Sequence, residues 1–205
     1  MNTLLFATNN QHKVDEINAV TDNFFAVKSL TQAGIIIDIP EPYHTLEENA
    51  FEKSNTIYQL TQQDCFSEDT GLFVDALHGE PGVKSARYAG EPACNQANIE
   101  KLLLKLKDQT NRKARFRTVI SLIIKGKAFV FEGICEGEII KEQSGKNGFG
   151  YDAVFVPEGS NKSFGEMDIK EKSLFSHRKK AVTKLIEFLK KMQSEYPLKM
   201  KKNIK

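Results

Sequence analysis

The run from Ala114 to Ile134 constrains the fold more than any other part of the chain. Ala114 to Ile124 is rich in strand formers, Lys125-Gly126-Lys127 supplies a turn, and Ala128 to Ile134 resumes the strand pattern. Two such runs joined by a glycine turn read as an antiparallel hairpin. The chain opens in a different style. The apolar run Thr3 to Ala7 breaks at Thr8-Asn9-Asn10, and Val14, Ile17 and Val20 then recur at helical spacing over Gln11 to Val20. A strand–loop–helix opening combined with a central hairpin predicts an α/β domain with a mixed sheet flanked by helices.

Other elements follow from local signals. Phe24 to Val27 reads as a second strand, and Gly34 to Ile39 as a third short one stopped by Pro40 and Pro42. Thr45-Leu46-Glu47-Glu48 has the capping-box form that starts a helix, here running from Leu46 to about Gln62. Asp64 to Ser67 leads into Glu68-Asp69-Thr70-Gly71, read as a strand ending in a turn, and Leu72 to Leu77 as strand or one turn of helix. His78 to Gly90 reads as loop, Asn95 to Leu106 as helix, Glu138 to Ile140 and Ala153 to Val156 as short strands, and Ser176 to Met192 as the last helix. The lysine-rich stretch 197–205 reads as a solvated basic tail, leaving 1–196 as one domain.

Composition excludes several classes. With 40% hydrophobic and 27% charged residues the chain is an ordinary globular mixture, not a disordered one. At 205 residues it can bury a core without disulfide or zinc staples. Lys plus Arg number 29 against 27 Asp plus Glu, and this near balance argues against a nucleic-acid coat. No run approaches the roughly 18 apolar residues of a membrane span. The N-terminus lacks the basic flank of a signal peptide, and three scattered cysteines without CxxC spacing read as reduced thiols. A cytoplasmic protein is expected.

Four segments carry candidate chemistry. Thr8-Asn9-Asn10-Gln11-His12-Lys13 lies where first-turn amides favour an anion, and Lys13 there opposes the helix dipole unless an anion compensates it. Glu68-Asp69 pairs two carboxylates whose hard oxygens suit magnesium, with Glu41 between Pro40 and Pro42 as a third. Gly145 to Asp152 permits close backbone approach and offers Phe149, Tyr151 and Asp152. Ser176-His177-Arg178 puts basic side chains at a helix start. Each also has a plain structural reading: a surface lysine, a polar strand end, a connecting loop and a solvated helix start. Arg112, Lys113, Arg115 and Arg117 read as a solvated strand face, with a phosphate patch as the rival. There is no P-loop, no G-x-S-x-G elbow and no assignable Ser/His/Asp triad.

Taken in order, Thr8-Asn9-Asn10-x-x-Lys13, Glu68-Asp69-Thr70-Gly71-Leu72, Pro81-Gly82-x-x-Ser85-Ala86-Arg87-Tyr88, Gly148-Phe149-Gly150-Tyr151-Asp152 and Ser176-His177-Arg178 resemble the motifs of the inosine/xanthosine triphosphate pyrophosphatases, the Ham1-like family. The likeness spans about Leu4 to Leu189. It implies an elongated two-lobed α/β fold with a central cleft, a homodimer, a magnesium (Mg2+) requirement, and hydrolysis of ITP, dITP and XTP to monophosphate and pyrophosphate. It further implies that Thr8, Asn9, Asn10, Gln11, His12, Lys13 and Lys53 hold the triphosphate. Glu41 and Asp69 would bind metal, with Asp69 as general base and Glu68 as a further candidate ligand. Thr70 would touch substrate, and Phe149, Gly150, Tyr151, Asp152, Lys172, His177 and Arg178 would form the base pocket. Gln11-His12 stands where small or basic residues are common in the family. A Maf-like pyrophosphatase for pyrimidine or modified nucleotides and a non-catalytic nucleotide-binding module are the rival readings. All of this requires distant segments to meet in one crevice that contains both Asp69 and Arg178.

Overall fold

The computed structural model describes residues 3–21 and 24–195; the basic stretch 197–205 lies outside them. The seven-stranded mixed sheet has the order β2-β1-β3-β5-β6-β7, with β4 on the far end of β3. β1 (Thr3–Phe6) and β2 (Ala26–Ser29) run parallel, linked by α1 (Gln11–Thr21). α2 (Leu46–Thr61) precedes the long central β3 (Cys65–Val74), which pairs along its whole length with β5 (Lys113–Ile124). The expected hairpin joins β5 to β6 (Lys127–Ile139), and β7 (Phe155–Pro157) closes that edge. β4 (Pro81–Gly82), α3 (Asn95–Lys105), α4 (Ile169–Ser173) and α5 (His177–Glu195) complete the architecture. Among the described residues no helix is long and apolar enough to cross a membrane.

Period-2 alternation assigns the two faces. Leu4 and Phe6 of β1, Phe66 of β3, and Ile120 and Leu122 of β5 pack with Val14 and Ile17 of α1 and Val182, Leu185 and Leu189 of α5. Leu5, Ala7, Cys65 and Ile123 point the other way and pack with Ile57 of α2. Leu72, Val74 and Phe116 continue the first face under Ile99, Leu102 and Leu106 of α3. Thr45 caps α2 as expected, accepting from the Glu48 amide at 3.2 Å; the Glu48 carboxylate accepts from the Thr45 hydroxyl rather than from the Thr45 amide.

Four expectations are corrected. Residues 34–39 form no strand: Ile35, Ile37 and Ile39 dock on the α2-side cluster while Ile36 is exposed, and no neighbouring strand offers them a ladder. Glu68-Asp69-Thr70-Gly71 is not a strand end but the middle of β3, because distant cations satisfy its carboxylates there. Residues 138–139 prolong β6 rather than adding a strand. The second strand sits two residues later than expected, over Ala26–Ser29.

Candidate functional site

Strand lengths create the site. β1 touches β3 only through Leu5–Cys65 and Phe6–Phe66 and then stops, while β4 rejoins that edge at Leu72 and Phe73. Between these points the edge of β3 over 67–71 has no strand neighbour, and a hollow of about 400 Å³ opens there. It lies beyond the C-terminal ends of parallel strands, where α/β sheets place ligands. Because the sheet is interrupted, side chains from both faces reach one space: Glu68 and Thr70 from one, Asp69 from the other.

On the α1/α5 face a buried chain of ions runs through five segments. Lys13 Nζ lies 3.0 Å from Glu68 Oε1, and Arg178 grips Glu68 with Nε at 2.7 Å and Nη2 at 3.0 Å. Arg178 Nη1 also donates to Glu16, whose other oxygen accepts from Lys172 at 2.6 Å; Lys172 donates in turn to Asp152 Oδ2 at 2.6 Å. Burial alone would raise the Glu16 carboxyl, but Arg178 and Lys172 outweigh it and hold the pKa at about 2. Glu68 is shifted the same way, its burial overcome by Arg178 and Lys13. For Asp152 burial wins over Lys172 and pushes the carboxyl up. Buried ion pairs contribute little net stability, because desolvation offsets attraction, whereas deleting one partner costs about 3–5 kcal/mol. The chain of ions therefore fixes the positions of its members more than it stabilises the fold.

The α2 face carries a smaller set. Lys53 Nζ is shared by Asp69, at 2.9 Å, and Glu41, which also accepts from Arg87 at 3.2 Å. Burial, helped by the charge of Glu41, raises Asp69 despite Lys53 and Lys13; Lys53 holds Glu41 low in spite of its burial. Two carboxylates converging on one cation are a donor set that fits magnesium, which binds through one or two carboxylates plus substrate phosphates. Glu68 is gripped by two cations, Arg178 and Lys13, whereas Glu41 and Asp69 share Lys53 and are the two that would hold the ion. Among the described residues no cluster of three or more His, Cys, Asp or Glu is disposed to hold a metal on its own.

At the other end of the hollow His177 stacks on Phe116 at 4.7 Å. Burial, then the charge of Arg178, keeps it neutral. Its Nδ1 is the one buried side-chain nitrogen or oxygen among the described residues without a hydrogen-bond partner. An orphaned buried polar atom in a residue that lines a hollow calls for a functional explanation. Tyr151 is buried and donates its hydroxyl to the Ser85 carbonyl at 2.9 Å, and the Thr70 and Thr118 hydroxyls are 2.6 Å apart. In the first loop Asn10 caps α1 through the Lys13 amide at 3.2 Å, and Thr31 donates to Asn9 at 3.0 Å.

Thr8, Asn9, Asn10, Lys13, Glu41, Lys53, Glu68, Asp69, Thr70, Phe149, Gly150, Tyr151, Asp152, Lys172, His177 and Arg178 all line this one hollow. Gln11 and His12 do not. Gln11 points away to Asp15, at 2.7 Å, and His12 stacks on Phe149 beside an adjoining smaller hollow. Sequence reasoning missed Glu16, which reads as a solvated position of an amphipathic helix, and gave no role to Arg87, although that residue stands in the motif Ser85-Ala86-Arg87-Tyr88. The only available signal for Glu16 was that Lys172 and Arg178 need a counter-charge. The three arginines of that strand face are engaged, Arg115 with Asp75 and Glu136, Arg117 with Glu47 and Glu132, and Arg112 with three carbonyls, so that of the cluster only Lys113 is left for a phosphate patch.

Fold and cleft together define a class: a mixed-sheet α/β protein whose hollow beside β3 is ionic at one end and aromatic at the other, as suits a phosphorylated ring compound. The sequence profile of the Ham1 family matches residues 4–188, and the chain belongs to that family. It is 46% identical over 187 residues to the dITP/XTP pyrophosphatase of Flavobacterium psychrophilum, covering 91% of this chain and 98% of that one. The dITP/XTP pyrophosphatase of Christiangramia forsetii is 47% identical over 188 residues, with 92% and 99% covered. The solved Staphylococcus aureus Ham1 protein superposes with a TM-score of 0.84 at 37% identity, over 93% of this chain and 100% of that one.

Proposed function

We propose that this protein hydrolyses the deaminated purine nucleoside triphosphates dITP, ITP and XTP to the monophosphate and pyrophosphate. It is thus a nucleoside triphosphate pyrophosphatase that clears such nucleotides from the pool. The observation that carries the reading is the convergence of Asp69, Lys53 and Lys13 with Lys172, His177 and Arg178 on one hollow.

The ion chain of Lys13, Glu68, Arg178, Glu16, Lys172 and Asp152 balances its own charge, as do Asp69, Lys53, Glu41 and Arg87. A triphosphate entering this space brings uncompensated negative charge. Lys13, Lys53 and the first-turn amides of α1 meet part of it. Magnesium held by Glu41 and Asp69 would supply the remaining positive charge to the phosphate oxygens as the bond to pyrophosphate breaks. Water attacks the phosphorus nearest the sugar, in line with the departing pyrophosphate oxygen. Asp69 orients that water and accepts its proton; magnesium beside the carboxylate would weaken it as a base, so its larger part is holding the ion and the water in place. At the other end Phe149 offers a stacking face and Lys172, His177 and Arg178 read the 6-oxo edge. Adenine presents an amine there, a donor set against donors, in place of an oxygen that accepts from them. A soluble cytoplasmic homodimer with a two-lobed domain over 1–196 belongs to the same proposal.

The test is steady-state release of pyrophosphate from dITP. The wild type releases it with magnesium and not with EDTA, and Asp69→Asn lowers kcat by about a hundredfold or more with KM little changed. Normal turnover in Asp69→Asn removes Asp69 from the chemistry. Activity confined to pyrimidine nucleotides favours the Maf-like alternative, and binding without turnover favours a non-catalytic module.

A further inference from the structure

The geometry points to His12 as a positioning residue that holds the Phe149 ring in place from behind, rather than a contact to the triphosphate. The inference rests on the proposed function and specifies one part of its site. Phe149 and Lys172 line both the main hollow and a smaller one of about 300 Å³, while His12 lines only the smaller. Phe149 is therefore the partition between the two spaces, and His12 lies on the side away from the main cleft. The two rings are nearly parallel, 13° apart, with centroids 5.2 Å apart.

Little else fixes the ring. Phe149 sits between Gly148 and Gly150, both at positive φ, and a Cβ at Gly150 would meet no atom within 4 Å. The loop backbone is tied at its base by the Asn147 amide to the Gly165 carbonyl at 2.8 Å and by the Phe149 amide to Asp152 at 2.8 Å. Those bonds set the backbone and do not reach the ring. Lys172 Nζ and Arg178 Cζ lie 5.2 Å and 5.7 Å from the ring centroid. These cations attract the ring, but both are held in the buried chain of ions. His12 stands one residue before Lys13, so the helix turn that presents the phosphate-binding lysine also braces the base platform. Without the imidazole, the smaller hollow can accept the ring, and the platform for the base is lost.

Three substitutions at this exposed position separate the roles, read by steady-state kinetics on dITP. His12→Ala removes the brace and is expected to raise KM roughly three- to tenfold, with kcat within about twofold. His12→Phe keeps a flat ring without polar atoms and restores KM to within about twofold of wild type. His12→Gln keeps hydrogen-bonding capacity without a ring and behaves like His12→Ala. Rescue by Gln and not by Phe makes His12 a phosphate contact and overturns the inference. It is equally overturned by an unchanged KM in all three, or by a loss confined to kcat. A wild type that does not release pyrophosphate from dITP defeats the proposed function itself; an active wild type with the wrong pattern among variants defeats only the role of His12.

Discussion

Glu16 and His177 show how single residues tie this site to solution conditions. Glu16 is held at about 2 against an ordinary 4.5, since Arg178 and Lys172 outweigh its burial. A lowered carboxyl contributes stability that is fully present above pH 4.5 and is lost as pH falls towards 2; for Glu16 the ceiling is about 3 kcal/mol. Glu68 acts in the same direction; Asp69 and Asp152, both raised, offset part of the loss. His177 starts the loss earlier. Burial and Arg178 keep it neutral well below its ordinary 6.5, while the unfolded chain takes up that proton as pH falls through 6.5. Urea unfolding followed against pH is therefore expected to show stability declining from about 6.5 downward and more steeply below 4.5. A flat profile between 6.5 and 3 would contradict the buried, neutral placement of His177. At this scale the sequence revealed the cations and the carboxylates Glu41, Glu68, Asp69 and Asp152, but not Glu16, nor which carboxylate pairs with which cation. Glu16 stands beside Ile17 on a helix with no mark of its burial, and only the arrival of Lys172 and Arg178 from the far end of the chain explains it.

Elements position those residues by close approach. A Cβ at Gly133 of β6 would lie 2.0 Å from the His177 carbonyl oxygen and 2.5 Å from the Ala181 amide, so the first turn of α5 rests directly on the β6 backbone. Gly133→Ala must push α5 outward. The expected result is a loss of about 1–3 kcal/mol in urea unfolding, together with at least a tenfold fall in kcat/KM for dITP as His177 and Arg178 shift. Wild-type kinetics in a folded Gly133→Ala protein would show that the α5 start does not set the site. The hairpin, the α2 cap and α5 were legible because each carries its signal locally, in alternation, a capping pair or helical spacing. Residues 34–39 mimicked a strand because four of the six are isoleucine, a strand former; partial burial of Ile35, Ile37 and Ile39 with Ile36 exposed shows only which side is covered, and a strand also needs a partner edge. Conversely, the charged middle of β3 looked like a turn, since the cations that let Glu68 and Asp69 sit inside a sheet come from α1, α2 and α5.

For the molecule as a whole, the decisive feature is the interrupted sheet. β1 ends four residues into its run while β3 continues, and the gap lets both faces supply one cleft. A nearly neutral chain needs no large basic surface to take a polyanion when its lysines are gathered at that gap. The Ham1 relatives match over nearly the full length, so this arrangement belongs to the whole chain rather than to a grafted segment. The most direct test compares kcat/KM for dITP, XTP, dGTP and dATP in one magnesium-containing assay that identifies products. The account predicts monophosphate and pyrophosphate from dITP and XTP, with dITP preferred over dATP by at least about a hundredfold. Equal rates on dITP and dATP, or release of single phosphate instead of pyrophosphate, would contradict it.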